Sequence, residues 1–317
     1  MSAILPKPWQ NLGMREAYGN MLVKLGAENP NIVVLDADLS GSTQTKLFAK
    51  VYPDRFFNMG VAEQNMTGVA AGLAVSGKTP FMSTFAVFAT GRNYDQIRQT
   101  VAYPKSNVKI VATHSGISVG PDGASHQALE DMGLMRGMPN MTVIAPADAV
   151  ETEKVVAGIA RMRGPAYVRL TRSPTPAIFG QDYEFKIGKG LFLREGRDVS
   201  IISTGTMTVP SLQAAELLEQ SGVSASVLHM PTIKPIDRDA LLLASENRIV
   251  VTVEEHSIIN GLGSAVAETL SHYNPTCVFR IGVEDRFGES GSADELYDKY
   301  GLTAPKIAEK VKAFMNQ

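Results

Sequence analysis

Val108-Lys109-Ile110-Val111-Ala112-Thr113, followed at once by His114 and then by Gly120-Pro121-Asp122-Gly123-Ala124-Ser125-His126-Gln127, is the stretch on which the fold turns. Its first six residues form a short β-rich run whose apolar side chains are nearly continuous, the pattern of a strand buried on both faces. The second segment sets a carboxylate and an imidazole on a glycine-rich turn beyond the carboxyl end of that strand. In α/β proteins this is where ligands bind. His114, Asp122 and His126 therefore make a candidate reacting site; the competing reading is a solvated turn with a capping aspartate.

Outward from this strand the same alternation repeats. Residues Asn31 to Asp36, Thr79 to Phe85, Met141 to Ala145 and Ala166 to Thr171 read as further buried strands. Between them, Arg15 to Gly26, Ala62 to Ser76, Tyr94 to Tyr103, Gln127 to Gly137 and Asp148 to Met162 read as helices. A βαβα series predicts a parallel sheet with helices on both faces. At Ser173-Pro174-Thr175-Pro176 the composition changes, and no strong helical period follows until the strand Val199 to Thr204. A second α/β series then begins: helix Val209 to Gln220, strand Ser224 to His229, helix Asp237 to Ser245, strand Arg248 to Glu254, helix Gly263 to Ser271, strand Thr276 to Val283 and a helical tail from Ala304. The expected class is α/β with two domains, residues 1–185 and 190–317, each a mostly parallel sheet covered by helices on both faces.

With 317 residues, 44% of them hydrophobic and 20% charged, the chain can bury two ordinary cores. A formal net charge of -2 with interspersed signs offers no basic stripe, so neither nucleic acid nor a membrane surface is an expected partner. The single cysteine, Cys277, excludes an internal disulfide framework and a cysteine metal cluster, which fits a reducing, cytoplasmic setting. No stretch approaches the roughly 18 continuous apolar residues of a spanning helix, and Met1 to Gly13 has no apolar leader core.

A second candidate site lies in Phe57-Asn58-Met59-Gly60-Val61-Ala62-Glu63-Gln64-Asn65-Met66. After Glu63 the residues are almost wholly small and apolar, from Gly68 to Ala74, which predicts a helix packed tightly on all sides. Glu63 falls in its first turn, where a surface carboxylate would gain about 0.3–1 kcal/mol from the helix dipole. A buried carboxylate costs several kcal/mol unless protonated or paired, so a raised pKa and a specific partner are expected, as for an acid facing a ligand. About twenty residues on, Ser83-Thr84-Phe85-Ala86-Val87-Phe88 places two aromatics at a strand end; taken alone, such a pair is more often core than cofactor platform.

In order, Asp36-Ala37-Asp38-Leu39-Ser40, Gly60-Val61-Ala62-Glu63-Gln64-Asn65-Met66, Ser83-Thr84-Phe85, Thr113-His114, Gly120-x-Asp122-Gly123-x-x-His126-Gln127 and Leu170-Thr171-Arg172 resemble transketolase across essentially the whole chain. The resemblance is to the carboxyl-terminal half: the pyrimidine-binding domain and the final domain. The amino-terminal domain of that family carries a Gly-Asp-Gly motif that binds Mg²⁺ and the thiamine diphosphate tail, and no Gly-Asp-Gly occurs here. The resemblance thus implies one subunit of a split transketolase, completed by an N-terminal partner in an assembly of two plus two.

It also implies roles. Glu63 would hydrogen-bond the aminopyrimidine ring nitrogen of thiamine diphosphate. Phe88 would stack on that ring, with Phe85 and Asp38 lining the same cofactor site; Gly91 stands where some transketolases place a tyrosine. His126 and Asp122 would contact the reacting part of the sugar, the first moving protons and the second reading a hydroxyl's configuration. Arg15, Ser42, His114 and Arg172 would grip the sugar's phosphate. For each arginine taken singly, a surface ion pair is the plainer reading. The implied reaction moves a two-carbon unit from a ketose phosphate to an aldose phosphate. Of the rivals, 1-deoxyxylulose 5-phosphate synthases generally lack a histidine at the place of His114. The β subunits of 2-oxo acid dehydrogenases lack the Asp122/His126 turn. Gly261-Leu262-Gly263-Ser264-Ala265 is a weak dinucleotide motif, incomplete at its third glycine and explained by a closely packed helix start.

Overall fold

The computed structural model describes residues 4–247 and 249–316. Its strands are β1 (Asn11–Leu12), β2 (Ile32–Asp36), β3 (Phe56–Asn58), β4 (Thr79–Ser83), β5 (Lys109–Ala112), β6 (Thr142–Ile144), β7 (Ala166–Arg169), β8 (Thr175–Pro176), β9 (Leu191–Arg194), β10 (Val199–Ser203), β11 (Ala225–His229), β12 (Thr232–Lys234), β13 (Ile249–Ser257) and β14 (Cys277–Val283). The α-helices are α1 (Met14–Glu28), α2 (Ser40–Thr43), α3 (Lys46–Val51), α4 (Glu63–Val75), α5 (Tyr94–Gln96), α6 (Asp131–Arg136), α7 (Ala149–Arg161), α8 (Thr208–Glu219), α9 (Arg238–Ala244), α10 (Leu262–Tyr273), α11 (Ala293–Lys299) and α12 (Ala304–Met315).

The first sheet has the order β12-β6-β7-β5-β4-β2-β3, parallel throughout except at β12, and the second the order β14-β13-β10-β11-β9, parallel except at β9. Every residue of β2, β4, β5, β7, β10 and β11 is buried, as continuous apolar runs require when helices cover both faces of a sheet. The α/β class and the two-part plan read from the sequence are therefore found. Short β12 was not expected. It comes from the second half of the chain, yet pairs antiparallel with β6 and covers what would be an open edge of the first sheet.

Several elements depart from expectation. Strand β4 stops at Ser83, and Phe85 contributes only an isolated bridge to Thr113. Helix α6 is six residues, not the expected span from Gln127. The Gln127 amide is instead committed to Ile117 O at 3.1 Å and Glu289 O at 2.9 Å, which ties the glycine-rich turn to the second half of the chain. The expected helix Tyr94 to Tyr103 is one α turn followed by a π-helical segment over 97–102, and another π-helical turn covers 88–92. Arg248, the expected first residue of β13, lies outside the described residues, as do Met1 to Ala3 and Gln317.

Helix α4 corrects a second expectation. Met66, Thr67, Ala70 and Ala71 bury one face, but Gln64, Asn65, Gly68, Gly72 and Val75 are exposed on the other. The apolar composition thus serves two faces, one against the sheet and one presented outward, where Val75 is 85% exposed; Val61, just before the helix, is 73% exposed. The glycine motif at 261–263 is a packing feature. Glu254 accepts from Leu262 N (2.7 Å) and Gly263 N (2.8 Å), filling the start of α10 with the chain's own carboxylate, and a Cβ at Gly261 would collide with it. Burial pushes that carboxylate up to about 7. Among the described residues no helix is long and apolar enough to cross a membrane.

A buried ionic network joins the two halves. Arg169 donates to Asp131 Oδ2 at 2.8 Å, Ala128 O at 3.1 Å and Glu255 O at 2.9 Å. The Glu255 carboxylate accepts from Ser118 N (2.7 Å), Thr206 Oγ1 (2.7 Å) and Tyr297 Oη (3.0 Å). Burial alone would lower the Arg169 pKa, but the charges of Asp131 and Glu255 hold it above its ordinary value. A second link pairs Glu151 on α7 with His229 on β11 at 2.8 Å.

Candidate active site

Four rings gather beyond the carboxyl ends of β4 and β5. His114 stacks on Phe85 with centroids 3.8 Å apart, Phe85 lies parallel to Phe88 at 6.1 Å, and His126 stands edge-on to Phe88 at 5.3 Å. The chain path explains the convergence. Phe85 leaves β4 at the bridge to Thr113, so the residue after Thr113 must lie beside it. His114 itself takes a left-handed backbone, φ 56°, and its Nδ1 lies 2.9 Å from Thr113 Oγ1.

The Asp122/His126 turn is shaped from the second half of the chain. Gly120 and Gly123 both have positive φ (80° and 74°), and a Cβ at Gly123 would sit 2.6 Å from Ser290 Oγ. Only glycine meets both demands. With the Gln127 bonds, this fixes where Asp122 and half-buried His126 stand; His126 Nδ1 lies 2.9 Å from Ser125 Oγ.

Glu63 is the first residue of α4 and its side chain is 3% exposed. Its partner is Arg92, whose Nη1 lies 2.8 Å from Glu63 Oε1. The same guanidinium lies over the Phe88 ring, 4.3 Å from its centroid. One planar group thus bridges a buried carboxylate and an aromatic face. Arg92 was not anticipated from the sequence, because it reaches this position from the π-helical turn 88–92, and such turns are not visible in an apolar period. Gln64 Nε2 donates to Arg92 O at 3.0 Å and holds that turn against α4. At Gly91 a Cβ would meet nothing within 4 Å, so this wall of the site is open.

The remaining expected residues divide into two groups. Arg15, Arg172, His114 and His126 influence one another electrostatically. Burial, then Arg15, Arg172 and His126, push the His114 imidazole down to about 3, so it is neutral near pH 7. Burial also lowers Arg15, with Glu16 opposing and Arg172 adding to the effect. Arg15 Nη1 donates to Ser42 O at 2.8 Å, while its buried Nε has no hydrogen-bond acceptor among the described residues. Arg172 Nη1 donates to Val119 O at 2.7 Å and lies 3.4 Å from Asp122 Oδ1, so two residues assigned to different roles touch one another. Two guanidinium groups and a neutral imidazole thus lie within electrostatic reach of one another, while Ser42 is tied to Arg15 through its backbone carbonyl. Asp38 stands apart, exposed at the end of β2 with φ 65° and accepting from Asn58 Nδ2 at 2.9 Å. Among the described residues no group of three or more His, Cys, Asp or Glu side chains is placed to hold a metal ion.

Comparison with known proteins gives a consistent result. The transketolase pyrimidine-binding domain family matches residues 10–177, and the transketolase C-terminal domain family matches residues 188–307. A putative transketolase C-terminal section of Methanocaldococcus jannaschii is 53% identical over 308 residues, covering 96% of this chain and 97% of that one. A 6-deoxy-6-sulfo-D-fructose transketolase subunit of a Clostridium species is 43% identical, covering 93% and 92%. Among solved structures, a split gene transketolase described as an inactive beta4 tetramer superposes with a TM-score of 0.89 at 52% identity, covering 97% of this chain and 99% of that one.

Proposed function

The chain belongs to the transketolase family, and from that premise we propose that it is the C-terminal subunit of a split, thiamine-diphosphate-dependent transketolase. In this reading it moves a two-carbon ketol unit from a ketose phosphate to an aldose phosphate, in the cytoplasm and in pentose phosphate metabolism. The observation that carries it is the buried Glu63 carboxylate beside the face of half-buried Phe88, bridged by one planar N–H donor. An aminopyrimidine needs the same two partners, an acid for its ring nitrogen and a ring for its face. These residues fit that half of the cofactor; the diphosphate and Mg²⁺ contacts fall to an N-terminal partner bearing Gly-Asp-Gly, in an assembly of two plus two. The outward face of α4, with Gly68, Gly72 and Val75, supports a second chain there.

The bound cofactor supplies an electron sink for cleavage of the sugar's carbon–carbon bond. What this chain supplies is placement and proton traffic. Glu63 holds a proton at the pyrimidine nitrogen, Phe88 and Phe85 orient the ring with Asp38 at the margin, and His126 moves protons at the sugar's reacting oxygens. Asp122 accepts from a sugar hydroxyl, which penalises the wrong epimer. Arg15, Ser42, His114 and Arg172 bind the far end of the sugar. Neutral His114 acts there as an N–H donor, and the free Nε of Arg15 is a donor awaiting an acceptor. The relative named for a sulfosugar favours a second substrate class on the same grip, since a sulfonate is also a tetrahedral oxyanion.

The test is reconstitution. The purified chain should show no transfer by itself and should gain it when mixed with the N-terminal subunit, thiamine diphosphate and Mg²⁺, assayed with phosphorylated and sulfonated ketoses. Robust turnover by the single chain would refute the split reading. Turnover of pyruvate or a branched oxo acid in place of a ketose would refute the substrate class.

A further inference from the structure

Resting on the assignment of Glu63 and Phe88 to the cofactor's pyrimidine, we propose that Arg92 is a stand-in for that ring. Its guanidinium holds both of the ring's partners until the cofactor enters, and cofactor entry displaces it.

Glu63 cannot remain an ionised, buried carboxylate without a partner, and a group only 3% exposed has few choices. Arg92 is the cation in ion-pair contact with it among the described residues. The other charged or titratable groups on elements packed against α4 are Asp36 on β2, Tyr94 and Asp95 on α5, and Arg98 in the π-helical segment; β4 carries none. The guanidinium also covers the Phe88 face, with His126 edge-on to the same ring. A planar N–H donor on a carboxylate and an aromatic face imitates the aminopyrimidine in both contacts, so the two cannot occupy the site together.

Arg92 can leave. Its side chain is 46% exposed, its charge is solvated as readily outside the pair, and the open space at Gly91 gives it room. The exchange also moves a proton. Beside Arg92⁺ the carboxylate is ionised; beside the ring nitrogen it must share a proton, because a carboxylate facing a bare nitrogen lone pair has nothing to bind with. One proton is therefore taken from solvent as Arg92 departs.

Calorimetry of thiamine diphosphate binding, with Mg²⁺, to the complex of this chain and its N-terminal subunit tests the proposal. It should be run at one pH in two buffers of different ionisation enthalpy, which yields the number of protons taken up. The wild type should take up about one proton through Glu63. In Arg92→Gln no guanidinium competes with the ring for Glu63 and Phe88, so affinity should rise roughly tenfold, because a competing conformer has been removed. Equal or weaker affinity would overturn the proposal and make Arg92 a wall of the pocket. If Arg92→Gln does not fold, Arg92→Lys serves. It keeps the pair and loses the stack, so binding should tighten by a smaller factor with uptake retained, and unchanged or weaker binding overturns the proposal. Glu63→Gln separates the two layers: it should abolish the proton uptake, and persistence of uptake would refute the pyrimidine assignment itself.

Discussion

Arg169 and Arg92 each hold a buried carboxylate, yet Arg169 is 6% exposed and Arg92 is 46% exposed. Around Arg169 every partner is enclosed, and the guanidinium is shared among Asp131, Ala128 and Glu255. Around Arg92 one group of the pair faces solvent, and at the 3.4 Å contact between Arg172 and Asp122 both do. The first arrangement locks two halves of a chain together. The second keeps charged groups in place but exchangeable, as a site for ligands requires.

Substitutions should separate the two regions by what they change. Arg169→Ala leaves the Asp131 carboxylate buried without its cation, with the Tyr167 hydroxyl at 2.6 Å remaining, and removal of one partner from a buried ion pair costs about 3–5 kcal/mol. Denaturant unfolding should show that loss, with early parting of the two halves; a change below 1 kcal/mol would put Arg169 in the exchangeable class. Arg172→Ala should leave stability nearly unchanged, as exposed pairs contribute about 0–1 kcal/mol. Its effect falls on substrate: loss of a charge-assisted bond lowers kcat/KM for a phosphorylated acceptor roughly ten- to a hundredfold and spares an unphosphorylated aldose. Equal losses on both acceptors would make Arg172 structural and blur the comparison.

The smallest effect at neutral pH is expected at His114, which is buried like the first region and lies against the aromatic cluster of the second. Its folded pKa, about 3, lies below the unfolded value of 6.5, so the folded chain binds fewer protons than the unfolded one. The neutral histidine's contribution is complete above 6.5 and is lost as pH falls toward 3. His114→Gln should show a shallower decline of stability across that window. An unchanged slope would mean that protonation of His114 carries no part of the acid sensitivity.

The same contrast explains what the amino-acid sequence discloses. Glu63 stands out because a carboxylate heads a run of small apolar residues. Asp122 and His126 stand out because two glycines frame them on a turn beyond a strand. Those are local signals. Arg92 lies 29 residues from Glu63, and Arg169 lies 38 from Asp131; neither pairing leaves a period to read. Strand β12 is three residues long, too short for any pattern, yet it closes the edge of the first sheet. The outward face of α4 is not legible because apolar composition alone does not say which side of a helix its own chain covers.

The most direct test of the central claim, that Glu63 is the acid of a cofactor site, is proton exchange at the thiazolium C2 position of thiamine diphosphate bound to the assembled complex. Glutamine keeps the shape of the side chain but has no acid proton to place at the ring nitrogen. The account predicts that Glu63→Gln folds, assembles and lowers that exchange rate by about a hundredfold or more. Exchange at the wild-type rate in the same assembly would contradict it and return Glu63 to the buried ionic frame with Asp131 and Glu255.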